Sequence, residues 1–394
     1  MAQGRKVRVS MNFADAGADG TIDEWVSFTL RDAYTDPLGG LDFECRPARS
    51  RIARYRKLLR KGSLVTIFVD GVNQGGFIIQ EVRTRISVED GVVLNISCRS
   101  PLIAAYQGSA DPDFTFRSRT DTPVTDFISR VLTPYGITDV IGDSRLNVNA
   151  ITGKPLPGSG ATAIDVTALK HQEAQVQDGE TAYALCARIL TRLGACLRFV
   201  ADNQVVVVSR PDYEQEPAYT IVQSSDLSAP GDRIIGDIEI TETNDGQFSE
   251  CRVRGQRNDT PGATTVGRPD ATVQAVDVVS SLAAYSSEAQ AYKPLIIRDK
   301  SCRDPKRALS VAKMALGGRA KDAFVLTCEV DGLVSQTGRI WQVDTVVTVR
   351  VDAIEFNSPM WVAERVLMQD VNGGQRCRLT LIPLGALVLG DVPG

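Results

Sequence analysis

The chain has 394 residues, of which 43% are hydrophobic and 23% are charged, and its formal net charge is −4. Such values are typical of folded globular proteins, and the length predicts about two to four domains rather than a disordered or fibrous chain. Because the basic residues are spread along the sequence, we expect no sequence-specific binding of nucleic acid.

The first 105 residues alternate between apolar and polar side chains in short runs. Residues 7–11 and 25–30 predict a hairpin, and the runs at 64–69, 76–82 and 92–98 predict further strands separated by Gly and Asp turns. Several short antiparallel strands in so few residues are typical of a small β-barrel. We therefore predict a first β-barrel over residues 1–105.

The pattern of short alternating runs ends near residue 106. Thr122-Pro123 begins a predicted helix, and the segment Asp178-Gly-Glu-Thr181 begins a second one that ends at Gly194. A hairpin with strands at 196–200 and 205–209 follows. Residues 106–214 are therefore predicted to form an inserted α/β domain.

Strands resume at 233–241 and 249–254, and the C-terminal end predicts strands at 323–330, 340–351, 361–369 and 376–383. Between them lie a Gly- and Pro-rich loop at 257–270 and a helix that begins at Asp304-Pro305. We predict a second β-barrel over 215–257 and 324–394, interrupted by a helical insertion over 258–323. The predicted fold class is mainly β, with two related antiparallel barrels and inserted α/β units.

The two ends of the chain share an order of features. Residues 77–83 and 89–102 form a strand, a Gly turn, an alternating strand and Pro-Leu, and residues 361–367 and 372–384 repeat this order. Aligning them places Phe77 beside Trp361. The chain is thus predicted to contain one barrel twice. Three such chains would form a ring of six similar barrels, which suits a sixfold partner on one side and a threefold partner on the other.

The sequence offers little for catalysis or metal binding. His171 is the only histidine, so a two-histidine metal site cannot form. The eight cysteines contain no Cys-x-x-Cys pair, and several alternate with core residues, so we expect reduced, buried thiols. We predict no catalytic, cofactor or metal residues. Carboxylates such as Glu173 with Asp178, or Glu239 with Glu242, could still serve a glycosidase if the fold brought them together.

Other local features have structural interpretations. Residues 46–61 carry eight Lys or Arg side chains and no acid, which indicates either a solvated loop and helix edge or a surface for an acidic partner. Trp341 and Trp361 lie in strand patterns and are expected to anchor the core or a subunit interface. The apolar stretches are far shorter than the ~20 residues that cross a bilayer, and the N-terminus lacks an apolar signal core, so we expect neither a membrane span nor Sec export.

Five segments carry a resemblance to a known family through their order along the chain. They are 75–82 (Gly-Gly-Phe-Ile-Ile-Gln-Glu-Val), 178–194 with its hairpin, 293–298 (Lys-Pro-Leu-Ile-Ile-Arg), 338–344 (Gly-Arg-Ile-Trp-Gln-Val-Asp) and 379–384 (Leu-Thr-Leu-Ile-Pro-Leu). In this order the chain resembles the tail baseplate hub proteins of Mu-like contractile-tailed phages. These proteins are related to the late-control D proteins and to the base of type VI secretion spike proteins.

The resemblance implies a non-enzymatic homotrimer around an axial channel. Its implied partners are the tail tube or a distal tube-like protein, the tape measure protein, the spike or needle protein and other baseplate wedge proteins. It implies a place in the virion tail after assembly in the host cytoplasm. Because the sequence ends soon after Leu384, whereas type VI proteins continue into a spike, the spike is expected to be another polypeptide. The alternatives are a tail-associated peptidoglycan hydrolase and a receptor- or carbohydrate-binding tail module.

Overall fold

The computed structural model of the chain describes most of both β-rich ends and parts of the segments between them. The described residues are 8–13, 21–22, 25–88, 91–112, 114, 123–148, 150, 154–157, 176–198, 205–226, 228–243, 248–255, 270–274, 293–299, 308–309, 312, 315–316, 324–371 and 373–386.

The strands in the described residues are β1 (Val9–Phe13), β2 (Thr21–Ile22), β3 (Trp25–Ala33), β4 (Asp36–Cys45), β5 (Leu64–Val69), β6 (Val72–Ser87), β7 (Gly91–Arg99), β8 (Asp139–Gly142), β9 (Cys196–Arg198), β10 (Val205–Ser209), β11 (Tyr219–Gln223), β12 (Asp232–Glu242), β13 (Glu250–Gly255), β14 (Asp270–Gln274), β15 (Pro294–Asp299), β16 (Phe324–Asp331), β17 (Val346–Val351), β18 (Phe356–Asp370) and β19 (Gly374–Pro383). The α-helices are α1 (Ile52–Leu58), α2 (Ile103–Gln107), α3 (Val124–Leu132) and α4 (Ala182–Arg192).

The C-terminal half forms a closed barrel. Its strands follow the order β17-β11-β12-β16-β19-β18, and β18 pairs back to β17. Alternate side chains of β16 and β19, such as Leu326, Cys328, Leu379 and Leu381, are fully buried. The period-2 pattern of the sequence therefore becomes an inward-facing core.

The N-terminal half repeats this strand order. Its sheet runs β3-β4-β7-β6-β5-β1, which matches β12-β16-β19-β18-β17-β11 strand for strand in chain order. The first strands differ in direction, since β1 is antiparallel to β5 whereas β11 is parallel to β17. Among the described strands, β1 and β3 do not pair with each other, and β3 pairs instead with β18. The predicted fold class of two related barrels with α/β insertions is confirmed.

Matching β-bulges fix how the two halves align. A register shift lies between Ile79 and Glu81 in β6 and between Val362 and Glu364 in β18. Residues 283 positions apart are therefore equivalent, and Trp361 corresponds to Ile78 rather than to Phe77 as the sequence alignment had it. The difference of one residue changes the predicted surroundings of Trp361, because a one-residue slip turns every side chain to the other face of the sheet. Trp361 packs outside the barrel core, with its ring 4.9 Å from that of Tyr34.

The segment between the halves contains a small sheet, β8-β10-β9, covered by helices. The predicted apolar positions of α3 and α4 are buried together in one cluster. At the start of α4 the Thr181 hydroxyl accepts a hydrogen bond from the Ala184 amide at 3.1 Å, and Gly194 ends the helix with a φ of 69°. Both predicted helices are present as the sequence indicated.

A third sheet has the order β14-β13-β15. The predicted boundary at 257 assigned β13 to the second barrel, but its pairing places it in this separate sheet. Cys251 and Val253 of β13 pack against Ala308 and Ala312 of the predicted helix rather than against the barrel. Alternation alone does not identify the sheet that a strand joins, since both environments bury every second residue. The division of the chain into four units otherwise stays a prediction, and most of the loop at 257–270 lies outside the described residues.

One strand pair joins the two barrels. Residues 356–361 of β18 pair with β17, and residues 364–369 of the same strand pair with residues 28–33 of β3. The two barrel cores consequently merge into a single apolar cluster. We call the pairing of β18 with β3 the intrachain junction.

A buried arginine spans the intrachain junction. Arg365 is 6% exposed, and its guanidinium donates to the Gln74 side chain at 3.1 Å and to the Trp341 carbonyl. Its Nε lies 3.3 Å from an oxygen of Asp32, an ion-pair distance without hydrogen-bond geometry. Arg365 of the second barrel thus contacts two strands of the first, and its charge is balanced inside the protein.

We predict that Arg365→Met lowers the free energy of unfolding by about 3 kcal/mol, because it leaves Asp32 without its buried partner. The matched control is Arg378→Met, whose half-exposed ion pair with Glu329 is expected to contribute less than about 1 kcal/mol. Denaturant unfolding at one fixed protein concentration measures both values. Equal losses for the two variants would contradict a special role for Arg365.

Candidate assembly surface

The intrachain junction creates an eight-stranded antiparallel sheet that crosses both halves of the molecule. Its order is β12-β16-β19-β18-β3-β4-β7-β6. One face of this sheet covers the barrel cores. The opposite face carries alternate residues that are largely polar and partly or fully exposed, and we call it the polar face.

Arginines and carboxylates neutralise each other across the polar face. Arg31 of β3 pairs with Glu364 of β18 at 2.7 Å, and Arg378 of β19 pairs with Glu329 of β16 at 2.6 Å. Further pairs on this face are Arg83–Glu81 at 2.6 Å, Arg99–Asp42 at 3.7 Å and Arg376–Asp370 at 3.0 Å. The surface is therefore strongly hydrophilic without a large excess of either charge.

A groove of about 350 Å³ lies on the N-terminal part of the polar face, where residues from β3, β4, β7 and β6 line it. It contains the carboxylates Asp42, Glu44 and Glu81. A hydrogen bond from Arg83 lowers the pKa of Glu81, and Arg46 pairs with Glu44 at 2.7 Å. A carboxylate whose pKa is lowered, such as that of Glu81, is a poor general acid.

Among the strands that the structure describes, the eight-stranded sheet ends in two edges that lack a neighbouring strand along part of their length. In β12, residues 234–242 pair with β16 on one side, and among the described strands none pairs with the other side. In β6, residues 72–78 pair with β5 and residues 78–87 pair with β7, so within the described sheet residues 81–87 have a neighbour on the β7 side alone. Ile86 is 76% exposed at this second edge. Unpaired edges with exposed apolar side chains are templates for pairing with another strand.

Of the two candidate acid pairs of the sequence, the one that lies wholly in the described residues does not share a face of its strand. Glu239 and Glu242 both belong to β12, and three residues along a strand place their side chains on opposite faces. Asp178 is exposed next to the start of α4, whereas His171 and Glu173 lie outside the described residues. No group of three potential metal ligands occurs among the residues that the structure describes.

The described cysteines are free thiols, and all but Cys196 are fully buried. Burial raises the pKa of Cys196 and of Cys328 to about 12. Such thiols stay protonated and are weak nucleophiles. They act as small core residues, as the sequence indicated.

One half-buried acid, Asp344, was not identified from the sequence. Burial raises the pKa of Asp344, and the charge of Arg198 at 2.9 Å opposes that rise. Asp344 also accepts hydrogen bonds from the Asp212 amide at 3.0 Å and from the Trp361 indole at 3.2 Å. Arg198 and Asp212 belong to the α/β segment, and Trp361 belongs to the barrel wall. The Asp344 side chain therefore links the α/β segment to the second barrel.

The basic residues at 46–61 surround α1 on the surface of the first barrel. Tyr55 and Leu59 are buried and anchor the helix, while Arg49, Arg56 and Lys57 are exposed. Within the described ranges, none of the helices has the length and apolar composition needed to cross a membrane.

Comparison with known proteins gives matches in structure only, since no protein-family model and no curated protein matches the sequence. The 43 kDa tail protein of prophage MuSo2 from Shewanella oneidensis superposes with a TM-score of 0.71 at 17% identity, covering 97% of this chain and 100% of that one. The tail protein from Neisseria meningitidis MC58 gives the same score and identity, covering 98% and 100%.

A structure of the Francisella PdpA–VgrG complex gives a TM-score of 0.52 at 10% identity and covers 99% of this chain and 60% of the matched one. At these identities the likeness concerns the fold. At the level of fold, the likeness confirms the resemblance to phage tail proteins. The chain has the fold of these tail proteins over nearly its whole length.

Proposed function

We propose that the protein is the structural hub of a bacteriophage tail baseplate. Three copies form a ring that adapts the sixfold tail tube to a threefold membrane-piercing spike and lines an axial channel for passage of the genome. The role is structural and not enzymatic. The observation that carries this proposal is the eight-stranded sheet, with its polar face and its two unpaired edges.

The geometry of the sheet favours a closed ring. Its two edges lie at opposite ends and belong to different barrels, so pairing one with the other is a head-to-tail contact that repeats until the rotation closes. Three chains would supply a wall of 24 strands, eight from each chain. Because each chain contributes two barrels of like topology, the wall would offer six similar units to one partner and three identical chains to another.

The proposed partners follow from this arrangement. The six barrels would dock on the tail tube or a distal tube-like protein, with the tape measure protein inside, and the opposite end would carry a separate spike or needle protein. Other baseplate proteins would surround the ring. The similarity to tail proteins supports a place in the virion tail, and assembly would take place in the host cytoplasm.

We predict that the purified protein has three times the mass of one chain, because trimer formation removes both unpaired edges. Sedimentation equilibrium over a wide range of protein concentrations measures this mass. A monomer at every concentration would overturn the ring. Turnover of purified peptidoglycan would instead support the hydrolase, and selective binding to a glycan array would support a receptor-binding module.

We also predict that the polar face does not retain DNA, since its carboxylates neutralise its arginines. Replacing Glu44, Glu81, Glu329 and Glu364 together by Gln should give salt-dependent binding of duplex DNA, at least about tenfold tighter than that of the wild type at low salt. The control replaces Glu214, Glu216 and Glu355 by Gln and Asp352 by Asn, all exposed and outside the polar face. Fluorescence anisotropy with labelled DNA measures both, and equal binding by the two variants would contradict the proposed wall.

A further inference from the structure

We propose that the ring closes by antiparallel pairing of residues 81–86 of one protomer with residues 238–243 of the next. Arg85 would lie opposite Glu239 of the next protomer, and Ile86 opposite Ile238. This inference rests on the proposed trimer and adds the strands, the register and the side chains that select the partner, which is a second copy of this chain.

The register follows from the internal repeat of the structure. The matched bulges make β6 equivalent to β18, with Glu81 at the position of Glu364. The ladders through β4 and β16 make β3 equivalent to β12, because Leu30 and Leu41 occupy the positions of Ile240 and Leu326. Each strand of the intrachain junction therefore has a counterpart at one of the two unpaired edges.

The intrachain junction then serves as the template for pairing between protomers. It places Met368 opposite Thr29 and Gln369 opposite Phe28. The equivalent residues are Arg85 opposite Glu239 and Ile86 opposite Ile238. If similar barrels repeat around a ring, the junction between protomers must follow the geometry of the intrachain junction.

Side-chain chemistry supports this register. Arg85 and Glu239 are both exposed and both belong to the polar face, so an opposite-charge pair would form directly across the strands. On the other face Ile86, which is 76% exposed in the single chain, would meet Ile238. The pairing would thus bury an exposed apolar residue and match two charges at once.

The junction between protomers differs from the intrachain one in one respect. The positions equivalent to Arg365 and Asp32 are Val82 and Glu242, so the buried arginine has no counterpart there. Within the chain the guanidinium of Arg365 joins the barrels through its ion pair with Asp32 and its hydrogen bond to Gln74. Between chains the contact would depend on strand pairing, on Arg85 with Glu239 and on the isoleucines.

Engineered disulfides test the register. Arg85→Cys with Glu239→Cys in one chain should give covalently linked trimers on oxidation, because residues directly opposite lie within disulfide reach. The two positions cannot join within a chain, since seven strand spacings of about 4.8 Å separate them. The background replaces Cys302 by Ser, and the other native cysteines are buried or half-buried.

The matched controls are Arg83→Cys with Glu239→Cys and Arg85→Cys with Thr241→Cys, which move one partner by two residues on the same face. We expect these diagonal pairs to cross-link at least about tenfold less, since their separation exceeds disulfide reach. Trimers that cross-link better through a control pair would overturn the register and leave the ring intact. A protein that is monomeric by mass would instead overturn the proposed function.

Charge exchange gives a second readout. Arg85→Glu alone and Glu239→Arg alone should each raise the protein concentration at which the trimer dissociates by about tenfold, because each places like charges at every junction. The double exchange should restore the wild-type midpoint. Single variants that leave dissociation unchanged, or a double exchange that does not restore it, would contradict the pairing of these two residues.

Discussion

The pairing of β18 with β3 is the constraint on which the rest of the structure depends. A single long strand closes the second barrel with its first half and continues into the first barrel with its second half. Arg365 of the second barrel is buried at this point and contacts the side chains of Gln74 and Asp32 in the first. Two small barrels, each with a modest core, thereby share one apolar cluster and one continuous sheet. The polar face and the positions of both unpaired edges follow from this junction.

Much of the fold could be predicted from the sequence, because strands and amphipathic helices leave periodic signals. Val124, Phe127 and Ile128 of α3 are buried as their spacing indicated, and the repeated order of strands reflects two halves of like topology. The alignment of the repeat was wrong by one residue, because Phe77-Ile-Ile79 and Trp361-Val-Ala363 are continuous apolar runs in which alternation fixes no register. The assignment of β13 to the second barrel failed because burial pattern carries no information about neighbouring strands.

The assembly surface could not be predicted from residue types. A charged edge strand such as residues 81–87 looks in sequence like any solvated strand, and only the pairing shows that one side lacks a neighbour. The burial of Arg365 and the partial burial of Asp344 could not be predicted either, because charged residues are mostly exposed and their sequence context does not show the exceptions. The described parts of the structure and the solved tail proteins agree in fold at 17% identity. Such divergence is compatible with a fold specified by alternation and turns rather than by fixed side chains.

A cryo-electron microscopy reconstruction of the purified assembly, at a resolution that separates strands, tests the proposed ring most directly. We predict six barrels around a central pore, a continuous wall of strands whose polar face lines that pore, and junctions between protomers that superpose on the pairing of β18 with β3. A ring in which β6 and β12 both face solvent, or in which the polar face points outward, would contradict this prediction.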